Sequence, residues 1–257
     1  MLNTNIDQSS KAFMRDLVRP IHSIKNAYKY LTFESGKLML EKHNIQFTRA
    51  SRLNDWLDCN IDIVNYDEVI ALYGTIISRD EFERIKKEGK EFADSLGICS
   101  LGQTPYNKEL WKRYACSPEG IENGICIELD FQSIIEHFTH SGKSKYGFVS
   151  LFVTYQDKVV GTINWMDYLK GSKNRLEFFS KLVTTKISNS EDNWQNEAEV
   201  RFILMEGIGD KEYFREVLPI ECITRIYLGK DISENDYQLV KRIIKDQGFD
   251  IPVHINI

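Results

Sequence analysis

Apolar periodicity changes character along this chain, and no strand–helix–strand repeat accompanies the change. Early segments carry apolar residues at helical spacing. Residues 66–77 do so, and Ser78 with Glu81 forms a capping box ahead of Phe82, Ile85, Phe92 and Leu96, a stripe that ends at Gly97. Asn107 precedes a short helical pattern of Leu110, Trp111 and Tyr114, and Ser10 precedes another of Phe13, Met14 and Leu17. Short strands are expected at 26–32, 45–48 and 98–101. Later segments read mostly as strands: Ile125, Ile127 and Leu129 in alternation, then 148–155, 199–205, 213–218 and 224–228, and finally Val253, Ile255 and Ile257. Helices are expected at 166–183 and after Ser233, the latter closed by Gly248. A doubly wound parallel sheet needs alternation that this order lacks. The pattern predicts a single α+β domain over 1–257, with a mixed or antiparallel sheet, flanking helices concentrated in the N-terminal half, and a helical extension at 1–25.

The chain has 257 residues, 42% of them hydrophobic, which is enough for a substantial core. Its formal net charge of −5 argues against holding nucleic acid by a broad cationic face, although a local patch stays open. Five cysteines (Cys59, Cys99, Cys116, Cys126 and Cys222) give an odd number with no metal-ligand spacing, so neither a disulfide framework nor a structural zinc site is expected. Among the histidines, only His137 and His140 have a ligand-like spacing, at the end of an expected helix, and no metal is expected. There is no glycine-rich phosphate loop and no nucleophile elbow. The first ten residues are polar, and no apolar run approaches the ~20 residues of a membrane span. No membrane association and a cytoplasmic location are therefore expected.

The segment 194–204 (WQNEAEVRFIL) is the most site-like. As a strand it would direct Ala198, Val200, Phe202 and Leu204 into a core and Glu197, Glu199 and Arg201 to the other face. Two carboxylates on one face repel unless Arg201 or a ligand offsets them, and such pairs shift each other's proton affinity, which suits an acid or base. The plain alternative is a solvated face with weak ion pairs. Trp194, just before it, could wall a pocket. Asn54 and Asp55 lie in a polar loop with Arg49, Arg52 and Asp58. They read either as turn residues bonding their own backbone or as a ligand loop with an arginine for a phosphate. Trp111 and Tyr114 share a helix face, as core or as a platform for a flat ring.

Several segments, in order, resemble the bacterial domain-of-unknown-function family 2971, akin to the AbiGi-type abortive-infection proteins. They are Tyr28-Lys29-Tyr30; Phe47 through Leu53-Asn54-Asp55 to Asp58; Cys99-Ser100; Leu110-Trp111 with Tyr114-Ala115; Gly124-Ile125-Cys126-Ile127; Trp194-x-x-Glu197-x-Glu199-x-Arg201; and Ile226-Tyr227-Leu228-Gly229. The chain departs from that family at Trp56, where Pro is usual, and at Arg113. The layout is similar to that of ADP-ribosyltransferase-like toxins and defence proteins, which use a Glu-x-Glu at a strand edge. The resemblance implies NAD as substrate, with Glu199 on the nicotinamide ribose and Glu197 orienting or deprotonating the acceptor. It also implies that Tyr30 and Trp111 stack on or wall the nicotinamide and that Arg49 meets the pyrophosphate, with Arg201 beside the pair as a further candidate catalytic residue. Asn54, Asp55, Tyr114 and Trp194 would complete the binding site. A small-molecule nucleotide, a nucleic-acid acceptor and an antitoxin or phage-defence partner are the partners this implies. Two other readings stay open: a metal-dependent nuclease on Asp55, Asp58, Glu197 and Glu199, and a non-enzymatic sensor or interaction module.

Overall fold

The structure, a computed structural model, describes residues 24–55, 57–63, 65–73, 77–140, 147–156, 181–187, 194–205 and 211–256. The expected N-terminal helix, His22, Trp56 and most of the expected helix at 166–183 lie outside these residues. Six α-helices have both ends among them, α1 (Phe33–Lys42), α2 (Tyr66–Tyr73), α3 (Arg79–Ser95), α4 (Lys108–Tyr114), α5 (Phe131–His140) and α6 (Glu234–Asp246), and residues 181–184 are helical too. The strands are β1 (Asn26–Leu31), β2 (Asn44–Arg49), β3 (Gly97–Leu101), β4 (Ile125–Asp130), β5 (Phe148–Phe152), β6 (Thr154–Gln156), β7 (Thr185–Ile187), β8 (Val200–Leu204), β9 (Tyr213–Val217), β10 (Ile223–Leu228) and β11 (Val253–Ile255).

The strands build a four-stranded sheet in the order β1-β4-β10-β11, a five-stranded sheet β5-β8-β3-β2-β9, and a small β6-β7 pair. The five-stranded sheet is antiparallel throughout. The four-stranded one ends in a parallel β10–β11 pair, and β6 also runs parallel to β7. This is the expected α+β domain with mixed and antiparallel pairing. A single apolar core joins the two large sheets. Ala27, Ile125, Ile127, Leu129, Ile226 and Leu228 from one meet Ile45, Phe47, Leu101, Val200, Phe202 and Leu204 from the other, and Met39, Phe138 and Ile244 from the helices fill between them.

Local chemistry explains most element ends. Ser78 accepts from the Glu81 amide at 3.2 Å, as its capping box predicts. The side chain of Ser233 caps α6 in the same way. Helix α1 was not anticipated from periodicity. Thr32 caps it, but Gly36 sits in its interior because the backbone lies against Ile125: a Cβ there would come within 2.6 Å of the Ile125 Cβ. A glycine at that place weakens the helical signal in the sequence while packing demands it. On β4 the second face is not solvated either. Cys126 is buried under Tyr30, Trp111, Ala115 and Tyr227, so α4 covers the far side of that sheet.

The two large sheets are joined by a backbone bridge. Tyr28 donates to Gly102 at 3.0 Å and Gly102 donates back at 2.8 Å. A cavity of about 300 Å³ opens at this seam, between the β1 segment Tyr28–Leu31, the β3 residues Ile98, Ser100 and Leu101, and the loop after β2.

Candidate functional site

Strand β8 supplies the floor of an ionic cluster. Its alternation holds: Val200, Phe202 and Leu204 enter the main core, while Arg201 and Ile203 face the other way. That second face is not solvated. Arg201 is wholly buried, and Glu197 and Glu199 are 2% and 4% exposed, so the surface-ion-pair reading is overturned. The strand also begins one residue later than expected. Glu197 lies in a 3₁₀ turn, Trp194–Glu197, and Ala198 takes a left-handed φ of 47°. The reversal at Ala198 is what brings Glu197 into the same cluster as Glu199, since strand geometry does not extend that far.

Arg201 is saturated. Its Nε donates to Glu199 Oε1 at 2.7 Å, its Nη1 to the Val183 carbonyl at 2.8 Å and to Cys59 Sγ at 3.3 Å, and its Nη2 to Asp58 Oδ2. A second cation enters from β7. Lys186 Nζ lies 3.3 Å from Glu197 Oε2, 3.6 Å from Glu199 Oε2 and 3.9 Å from Asp58 Oδ2. A third, Arg113 on α4, comes within 3.8 Å of Glu197 Oε1. Tyr114 donates to that same oxygen at 3.2 Å. The ring of Trp194 is approached by both Lys186 Nζ, at 3.9 Å from its centroid, and the Arg113 guanidinium, at 4.0 Å. Cation–π attraction thus holds beside Glu197 the two side chains that neutralise it.

The small β6-β7 pair aligns Tyr155 with Lys186, and the Tyr155 hydroxyl accepts from the Glu199 amide at 3.0 Å. Asn107 ties α4 to the 3₁₀ turn. Its Oδ1 caps the helix, and its Nδ2 donates to the carbonyls of Asn196 at 2.7 Å and Glu197 at 3.2 Å.

The two glutamates are pushed in opposite directions. Burial raises the Glu197 carboxyl, and the nearby Glu199 charge adds to this; Lys186 and Arg113 offset only part. Burial also acts to raise Glu199, but the charge and hydrogen bonds of Arg201, helped by Lys186, outweigh it and bring that carboxyl down to about 2. Two adjacent carboxyls with opposed environments form a natural acid/base assignment, with Glu197 able to hold a proton and Glu199 a fixed anion. Burial likewise raises the Tyr114 and Tyr155 hydroxyls, which stay protonated; Tyr114 donates to Glu197 and Tyr155 accepts from the Glu199 amide.

Of the residues singled out from sequence, Tyr30, Asn54, Tyr114, Glu197 and Glu199 line the cavity together. Arg201 stands behind Glu199, and Trp194 behind Lys186 and Arg113; neither is among the lining residues. Trp111 is core: 1% exposed, edge-on to Tyr30 at 5.4 Å, with Nε1 donating to the Pro105 carbonyl at 2.7 Å. It supports Tyr30 and does not reach the cavity. Arg49 is not a lining residue either; the arginines that line the cavity are Arg52 and Arg215. Asp55 follows the turn reading, with Oδ1 accepting from the Leu57 amide at 3.0 Å and its carbonyl from the Asp58 amide at 3.1 Å. That turn delivers Asp58, which is 6% exposed, to Arg201.

Lys186, Cys59, Tyr155 and Ser100 were missing from the expected site. Lys186 sits in a three-residue strand between stretches without motif, and nothing in the sequence marks its burial. Among the described residues no group of three or more His, Cys, Asp and Glu is arranged to hold a metal ion, and no helix is long and apolar enough to cross a membrane. Compared with protein-family models, with curated proteins and with solved structures, the chain has no match.

Proposed function

We propose that the cavity binds a small-molecule nucleotide, with NAD as the first choice, and that Glu197 and Glu199 carry an ADP-ribosyl transfer or NAD cleavage within it. One observation carries this reading: both carboxyls of Glu197-Ala198-Glu199 line a single cavity, beside Tyr30, Asn54 and Tyr114, in environments that raise the proton affinity of Glu197 and lower that of Glu199. In the reaction, the bond between ribose and nicotinamide breaks with its electron pair going to the ring nitrogen, which becomes neutral. Positive charge develops on the ribose, and the Glu199 anion stabilises it. An acceptor hydroxyl, amine or water attacks the ribose carbon and gives its proton to Glu197.

About 300 Å³ is at the small end of ligand pockets and suits the nicotinamide-ribose half of the dinucleotide. The remainder would extend toward Arg52 and Arg215, the arginines that line the cavity in place of Arg49; Arg52 would exchange its ion pair with the exposed Glu212, at 2.7 Å, for phosphate. The resemblance to abortive-infection proteins adds a phage-defence setting, with nucleic acid or protein as acceptor and an antitoxin as partner. The test is nicotinamide release from NAD, with and without cell extract as acceptor. Wild type should release it, and Glu199→Gln and Glu197→Gln should lose at least ~100-fold, the usual scale for removing a transition-state charge or a general base. Full activity in folded Glu199→Gln, or the absence of both NAD binding and nicotinamide release in wild type, would sink the proposal.

The nuclease reading gains one feature from the fold, a lysine beside the acids. It loses three carboxylates: Asp55 is turned into its own loop, and Asp58 and Glu199 are bonded to Arg201.

A further inference from the structure

We propose that Lys186 is the resident cation of this site and that it is the positioning residue for Glu197. The proposal does not depend on which molecule the cavity binds. Three carboxylates from two separate segments converge here: Asp58 from the loop after β2, and Glu197 and Glu199 from the stretch that joins the 3₁₀ turn to β8. The oxygens nearest Lys186 all lie within 4 Å of its ammonium. In this chain a side chain fills the centre, and the Trp194 ring backs it.

The charge balance agrees. Arg201 serves Asp58 and Glu199, while Glu197 pairs with Lys186. Glu197 faces Lys186 from β7, Arg113 and Tyr114 from α4, and Glu199 from its own segment; of the two cations, only Lys186 is buried. Removing the Lys186 charge leaves three buried acids with one buried cation. The site must then take up a proton, and Glu197, already the carboxyl raised by burial, is where it would go.

The test follows the Glu197 side-chain carboxyl by ¹³C NMR, with the signal assigned by its loss in Glu197→Gln. It is titrated in wild type, Lys186→Met and Lys186→Arg. In Lys186→Met the midpoint should rise by about one pH unit or more, at least a tenfold change in proton affinity. Lys186→Arg should keep it near the wild-type value. A purely structural lysine would leave the midpoint in place in any variant that folds. An unshifted Glu197 midpoint in folded Lys186→Met overturns the proposal. If Lys186→Met does not fold, Lys186→Gln, which keeps a polar side chain without the charge, carries the titration and the same outcome overturns it.

Discussion

Arg201 is the residue on which the buried charges depend. It bonds Asp58 and Glu199, both inside the protein, and caps the Val183 carbonyl. Removing one partner of a buried pair strands the other charge, which costs about 3–5 kcal/mol in comparable cases. Arg201→Met should therefore lower unfolding free energy by that order in urea titration, well beyond the effect of any surface arginine. The two glutamates should behave differently from each other. Glu199→Gln removes a carboxylate that Arg201 and Lys186 stabilise, so several kcal/mol of loss is expected. Glu197→Gln removes a carboxyl whose ionised form burial disfavours, and Gln can still accept from Tyr114, so about 1 kcal/mol or less is expected. Equal losses in the two variants, measured by the same titration, would contradict the opposed environments described for them.

At the element scale, the site depends on short irregular pieces and very little on long regular ones. The 3₁₀ turn Trp194–Glu197 and the left-handed Ala198 aim Glu197, and Asn107 clamps that turn to α4. Asn107→Ala removes a helix cap and two bonds to the turn. A loss of about 1–2 kcal/mol is expected, with a matching loss of any ligand-induced stabilisation. Ala198→Gly should have the reverse sign. Left-handed geometry costs a residue with a Cβ about 1 kcal/mol, so thermal denaturation should show a slightly more stable protein. Capping boxes and alternation made α3, α4, α6, β4 and β8 legible in the chain. The 3₁₀ turn, the three-residue β7 and the helix α1 around Gly36 were not, because each is stabilised by packing that no local pattern encodes.

For the whole molecule, the depressed Glu199 ties stability to pH. Its carboxyl ionises near 4.5 when unperturbed and near 2 in the fold. A folded-state value below the unfolded one contributes stability that is present above pH ~4.5 and is lost as pH falls toward ~2. Glu197 has the opposite sign: raised in the fold, it favours the native state at acid pH and loses that contribution as pH rises through its folded value. Wild type should thus lose stability steeply between pH ~4.5 and ~2, and Glu199→Gln should flatten that limb in urea midpoints taken across the range. The sequence by itself determined the fold class and most of its elements, because alternation, helical spacing and caps are local consequences of backbone geometry. It also singled out Glu197, Glu199 and Arg201 by their place around one strand. Only the tertiary structure decided that this charged segment is buried, that Lys186 and Asp58 join it, that Trp111 is core, and that Arg52 and Arg215 line the cavity where Arg49 does not. Those facts depend on which distant segments meet across the seam between two sheets, and a side chain's charge does not say whether its neighbours will be water or another chain segment.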